Sequence, residues 1–221
     1  MALNLDQQIS TPAQPNLGSP TPTYDQGFMA TSFGSLNVYF QKLTAIFAAI
    51  FGQRGGKWIN NPYGAFQDGT DQTAANTTTA YAITFDTTDF SNGVTLSNSS
   101  RLNVSQAGLY NLQFSIQVKN TTNDGQDVDV WFRKNGTNIA NSNSRFHVVA
   151  RKSTGDPSHM IAALNFFVNL AANDYIEIMW RPSDVGVSIE HYAASSTPTR
   201  PVVPSVIATL SFVSNLSVET A

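Results

Sequence analysis

The sequence predicts an all-β sandwich or barrel carried behind an extended arm and one oligomerising α-helix. From residue 63 onward, apolar residues recur at every second position in a series of short segments separated by turn signals. That is the pattern of antiparallel strands with one face in a core, not of a helix-covered parallel sheet. Between residues 29 and 51 the period changes to a heptad, which belongs to a helix that meets other helices. Ahead of it, Pro12, Pro15, Pro20 and Pro22 are spread among Thr, Ser, Gln and Gly18, a composition that favours extended backbone with no core of its own.

Composition narrows the function classes. A chain of 221 residues holds one ordinary domain plus extensions. Charged residues make up only 12% and the formal net charge is -3, so there is no basic footprint and nucleic acid is not an expected partner. With no cysteine, disulfides and thiolate metal sites are excluded. The opening MALNLDQQIS carries neither a positive n-region nor an apolar h-region, so a secretory leader is not expected. Asn, Ser and Thr fill most gaps between apolar positions, which suits a strand-rich surface protein.

In chain order, residues 1–27 are expected to form an attachment arm. Residues 28–51 form the helix, with Thr31 or Ser32 as candidate caps of its first turn. Its seam comprises Met29, Phe33, Leu36, Phe40, Leu43, Phe47 and Ile50, at alternating steps of four and three. Tyr39, Ile46 and Phe51 widen that stripe, and Lys42, the only charge between Met29 and Phe51, falls on the outer face. A stripe this broad suits a bundle of three or more helices, or a helix pressed onto a large surface. Packing against the chain's own sandwich stays open as an alternative. Asn37, Gln41 and Lys42 interrupt the apolar run, so membrane insertion is not expected. A seam of about three heptads is marginal in water by itself, so the head or a docking surface has to help.

Residues 52–62 form a Gly-rich linker. GQRGGK has the chemistry of a helix C-terminus and a hinge. It is no phosphate loop, because no strand precedes it and no Lys-Ser/Thr helix follows.

Residues 63–221 form the head. Its clearest strand spans 108–119, where Tyr110, Leu112, Phe114, Ile116 and Val118 point one way and the intervening polar residues the other. Val128, Val130 and Phe132 share a face ahead of an Asn135-Gly136 hairpin turn. Further strands are expected at 81–85, 94–96, 102–104, 137–140, 145–151, 160–170, 174–180, 185–189 and 205–213.

This head resembles the jelly rolls of complement C1q and tumour necrosis factor. The matching segments come in order: Leu102-Asn103-Val104 with Gly108-Leu109-Tyr110 and Phe114, then VWFRKNG, then LNFFVNLAANDYIEI, then SVIATLSFV. Asn173 replaces the usual Gly, Leu112 replaces an aromatic, and the final Phe-Ser-Gly is missing. The resemblance implies a jelly roll that trimerises by packing one sheet around a three-fold axis. It carries an assembly rather than a chemistry. The arm and its TYDQGFM opening into the helix resemble phage virion appendages.

Chemistry finds little footing. His147, His159 and His191 lie in separate segments, and Asp156-Pro157-Ser158-His159 reads as a loop rather than a triad. Asp124, Asp127 and Asp129 fit no calcium-loop spacing; no metal, cofactor or catalytic residue is expected, and the chain is not expected to be an enzyme. Alternation turns Trp131 out of the core, and an exposed Trp marks either an interface or a ligand surface. His191 and Tyr192 form a second candidate exposed patch. The sequons at Asn98 and Asn120 matter only in a glycosylating compartment. The expected function is a homotrimeric fibre or capsid decoration of a bacteriophage virion. It would be anchored to other virion proteins by residues 1–27, with a head facing a host-surface glycan or protein. A free trimeric ligand- or glycan-binding module is the alternative.

Overall fold

The computed structural model of the chain describes residues 12–19, 22–51 and 61–214. Residues 1–11 of the arm, Pro20, the linker at 52–60 and the side chain of Ile50 lie outside the described residues. The chain divides into two compact units, Met1–Asn60 and Asn61–Ala221.

The first unit is built on α1 (Gln26–Phe51). Its cap is Asp25, whose Oδ1 accepts from the Phe28 amide at 3.0 Å while its carbonyl accepts from Met29 at 3.1 Å. A short carboxylate ahead of the first turn satisfies an orphan amide and meets the positive end of the helix dipole. The helix therefore starts earlier than the periodic stripe, and Thr31 is already interior, its hydroxyl donating to the Gly27 carbonyl at 2.9 Å. The described arm residues lie along the helix. Ser32 Oγ donates to the Leu17 carbonyl at 3.5 Å. Ala13, Pro15 and Asn16 line a groove of about 460 Å3 with Thr31, Ser35, Val38, Tyr39 and Lys42. Apart from Tyr39, which flanks the stripe, those helix positions lie away from the seam. Along the seam Phe33, Phe40 and Phe47 are 62%, 56% and 50% exposed, and Met29 is exposed too. Leu36 and Leu43 are partly buried. No helix among the described residues is long and apolar enough to cross a membrane.

The second unit is a sandwich of antiparallel sheets. Its strands are β1 (Tyr63–Asp68), β2 (Gln72–Thr73), β3 (Tyr81–Ala82), β4 (Thr87–Asn92), β5 (Val94–Ser97), β6 (Arg101–Val104), β7 (Gly108–Asn120) and β8 (Gln126–Lys134). There follow β9 (Thr137–Asn138), β10 (Ser144–Val148), β11 (Ser158–Leu170), β12 (Tyr175–Pro182), β13 (Val187–Ile189), β14 (Ser195–Ser196), β15 (Thr199–Arg200) and β16 (Val206–Ser214). The first sheet runs β2-β13-β7-β16-β1-β4, with β11 also paired to β7. The second runs β10-β8-β12-β6-β5, with β3 on β12 and β9 on β8. β14 and β15 pair only with each other.

Alternation decides the long strands. Along β7 every second residue from Gly108 to Asn120 is buried, and β11 pairs with it from Gly108↔Leu170 to Asn120↔Ser158. Ser158 and His159 thus open a strand instead of sitting in a loop. Asn135 and Gly136 both take positive φ, 48° and 82°, which matches the left-handed hairpin expected there. Phe132 bridges the two sheets, stacked on Phe166 at 4.6 Å and edge-on to Phe114 at 5.9 Å. The expected strands at 81–85 and 137–140 are shorter than their alternation suggested. Ile83 and Phe85 are buried beyond the end of β3.

The outward faces of the two sheets differ in kind. On the first, β11 presents Ile161 and Phe167, β16 presents Ile207 and Val213, and β1 and β4 present Tyr63 and Phe90, all exposed. The only ionisable side chains that β7, β11 and β16 carry on that face are Lys119 and His159, paired in register at one end. On the second sheet the outward row is ionisable: Arg101, Asp127, Asp129, Arg133, Arg145, His147, Glu177 and Arg181.

Candidate functional site

Trp131 lies on that charged face. β8 buries Val128, Val130 and Phe132, so Trp131 points outward with Asp129 and Arg133 on either side. In register it meets Met179 of β12, which is buried although it faces outward. The indole Nε1–H donates to Asn138 Oδ1 at 2.9 Å, which fixes the ring and satisfies its one polar atom. Trp131 is partly buried rather than fully exposed, and the part of the ring that stays exposed is apolar.

Two ion clusters flank the indole. On one side Glu177, buried, accepts from Arg133 Nε at 2.8 Å and from Ser100 Oγ at 3.0 Å, with Arg101 Nε at 3.5 Å. Burial pushes its carboxyl up, but these hydrogen bonds and the two guanidinium groups outweigh it and hold it below the usual range. On the other side Asp129 accepts from Arg145 at 2.9 and 3.2 Å and from Arg181 at 3.2 Å. The Arg145 hydrogen bond is the largest influence, and with Arg181 and Asn143 it overcomes burial and holds this carboxyl low as well. Both groups stay ionised in the folded protein to a lower pH than in the unfolded chain. The stability they contribute is present above the ordinary carboxylate range and is lost as pH falls through the depressed folded values. Thermal midpoints should therefore fall as pH drops below about 4, and Glu177→Gln should flatten that fall. A midpoint unchanged on acidification would contradict this assignment.

Beside Trp131, a groove of about 330 Å3 is lined by Asp129, Asn138, Ile139, Asn141, Asn143 and Arg181. Its wall is the 139–143 loop, pinned by buried Ser142, whose Oγ donates to the Ile139 carbonyl at 2.8 Å and accepts from the Phe132 amide at 3.1 Å. Asn141 takes φ 59°, a left-handed conformation that Asn tolerates.

His191 and Tyr192 are partly buried and tied down rather than forming a free patch. The backbone amide and Nδ1 of His191 meet Asp71 Oδ1 at 2.8 and 2.7 Å. Tyr192 Oη meets His159 Nδ1 at 2.7 Å, and burial together with Glu190 and Asp71 pushes its phenol well up. Lys119 pairs with Glu190 at 2.5 Å. This polar corner takes Asp71 and Lys119 from elsewhere in the chain, partners that spacing could not reveal. His147 pairs with Asp127 at 2.8 Å, away from the other two histidines in sequence and contact.

Among the described residues no group of three or more His, Asp or Glu side chains is placed to hold a metal ion; Asp127 and Asp129 are taken up by His147 and the two arginines. The hydroxyl of Ser158 bonds the Val149 carbonyl, so Ser158 and His159 do not converge on a reacting centre. The sequon residue Asn120 is fully buried, with its amide bonded to the carbonyls of Asp124 and Val149, which removes it as a modification site. Compared with known proteins, the chain matches no family model and no curated sequence.

Proposed function

We propose that this chain is a non-enzymatic structural protein of a bacteriophage virion, a homotrimeric fibre or capsid decoration. Three copies of the helix zip along the seam at Met29, Phe33, Leu36, Phe40, Leu43, Phe47 and Ile50. Residues 1–27 anchor the assembly to other virion proteins, and a C1q/TNF-like jelly-roll head faces outward to the host surface.

One observation carries the assembly. Among the described residues two apolar surfaces are exposed, each within its own unit: the seam of α1 at Met29, Phe33 and Phe40, and the face of the first sheet that bears Ile161, Phe167 and Ile207. The described arm residues line the helix on the side of Thr31, Ser35, Val38 and Lys42, away from Met29, Phe33 and Phe40. Exposed apolar surface of this kind marks a site of association, and a heptad seam with apolar flanks suits three strands better than two. The head reading draws support from connectivity. From β6 to β7 to β8, and from β10 to β11 to β12, the chain passes from one sheet to the other and back, as in Greek-key jelly rolls. The virion assignment rests on the resemblance of the arm and its entry into the helix.

Deleting residues 1–27 tests the attachment role. The truncated chain should still assemble by size measurement but fail to enter particles. A truncated chain that incorporates normally would leave a free trimeric binding module as the better reading.

A further inference from the structure

We propose that the groove beside Trp131 is a saccharide site for neutral pyranose sugars. This deepens the outward-binding part of the function above and rests on it in one respect: if the first sheet meets sister subunits, the charged second sheet and its groove stay in solvent.

The chemistry of the lining selects the ligand class. Trp131 offers a flat apolar ring whose N–H is already spent on Asn138, with buried Met179 alongside it. Such a ring covers the C–H face of a pyranose, removing apolar area from water without stranding a polar group. Around it stand side-chain amides at Asn138, Asn141 and Asn143, and the Arg181 guanidinium. Asn141 pairs one donor group with one acceptor, and Asn138 keeps its amide N–H donors beside the oxygen that Trp131 uses, which matches vicinal hydroxyls that both give and accept hydrogen bonds. Asp129 is already engaged by Arg145, Arg181 and Asn143, so it orients the donors.

The same facts disfavour other ligands. Phosphate or a carboxylate would be set against the Asp129 carboxylate in the lining, and Arg145 and Arg181 already turn donors onto it. A peptide strand would need an open backbone edge, but β8 is paired on both sides, with β10 and β12. At about 330 Å3 the groove lies at the small end of the roughly 300–1,000 Å3 of ligand pockets, suited to a short saccharide. It is also built in advance. Ser142 pins the loop that carries Asn141 and Asn143 to the backbone of β8, so little ordering cost falls on binding.

The test uses the purified full-length chain with glucose, galactose, mannose, N-acetylglucosamine and lactose, read by saturation-transfer NMR and calorimetry. Sialic acid and inorganic phosphate serve as anionic comparators. At least one neutral sugar should bind, and Trp131→Ala should weaken it by about tenfold or more, a loss of about 1.4 kcal/mol. Asn141→Gly, which suits the left-handed backbone there, should weaken it severalfold with the fold intact by circular dichroism; this variant decides the matter if Trp131→Ala does not fold. The proposal is overturned if no neutral sugar binds at tens of millimolar, if only the anions bind, or if the folded variants bind as the natural chain does. Loss of sugar binding leaves particle incorporation unaffected, so the two readings fail separately.

Discussion

Phe40→Asp is expected to convert the assembled protein into single chains while the head stays folded. Phe40 is 56% exposed in one chain, with its ring edge-on to Tyr39 at 5.6 Å, so the substitution disturbs little internal packing and even improves the solubility of a monomer. In a three-helix seam the same change puts three carboxylates at one level, desolvated and without partners. Each buried unpaired charge costs about 3–5 kcal/mol, and they repel one another. A seam of about three heptads has no such reserve. Light scattering on a sizing column should show the mass fall to one chain, with the strand signal in circular dichroism unchanged. Phe167→Asp, on the exposed face of the first sheet, separates the two apolar surfaces. If the head alone assembles the protein, Phe167→Asp splits it and Phe40→Asp does not. A natural chain that already runs as a monomer would remove the trimer altogether.

What could be read beforehand follows from where each signal resides. β7 and β11 were visible because burial on one face writes a period of two into their own residues, and Asn135-Gly136 announced its turn by side-chain chemistry alone. β4 gave no signal: TTDFSN has no alternating apolar set and its residues are largely exposed. It is a strand because β1 pairs with its backbone, through Tyr63↔Asn92 and Ala65↔Phe90. The apolar stripe starts later than the helix does, so periodicity points to Thr31 or Ser32 and past the true cap, Asp25. The outward turn of Trp131 followed from its neighbours, but the groove did not. It requires the register that sets Met179 against Trp131 and Arg181 against Asp129, and a loop folded over them from further along the chain. His191 and Tyr192 fail as a free patch for the same reason, since Asp71 and His159 reach them only through the fold.

Phe132→Ala should produce the largest loss of stability in the head. The ring is 1% exposed and sits where the sheets meet, stacked on Phe166 of β11 and edge-on to Phe114 of β7. Truncating a buried Phe to Ala costs about 3–5 kcal/mol, because the cavity collapses only in part. Here two aromatic contacts on the opposite sheet lose their partner at once. Against a total of about 5–15 kcal/mol for a domain, that is a large fraction, and at about 2–4 °C per kcal/mol it lowers the thermal midpoint by about 6–20 °C. Phe132→Leu, which refills most of the space, should recover more than half of the loss. Oligomers raise apparent stability by mass action, so the variants are compared at one chain concentration. The backbone of Phe132 still holds Ser142 in either variant, so the folded fraction should keep the Trp131 groove and its sugar affinity. A loss below about 1 kcal/mol would mean that the sheets are held together elsewhere than at this aromatic contact.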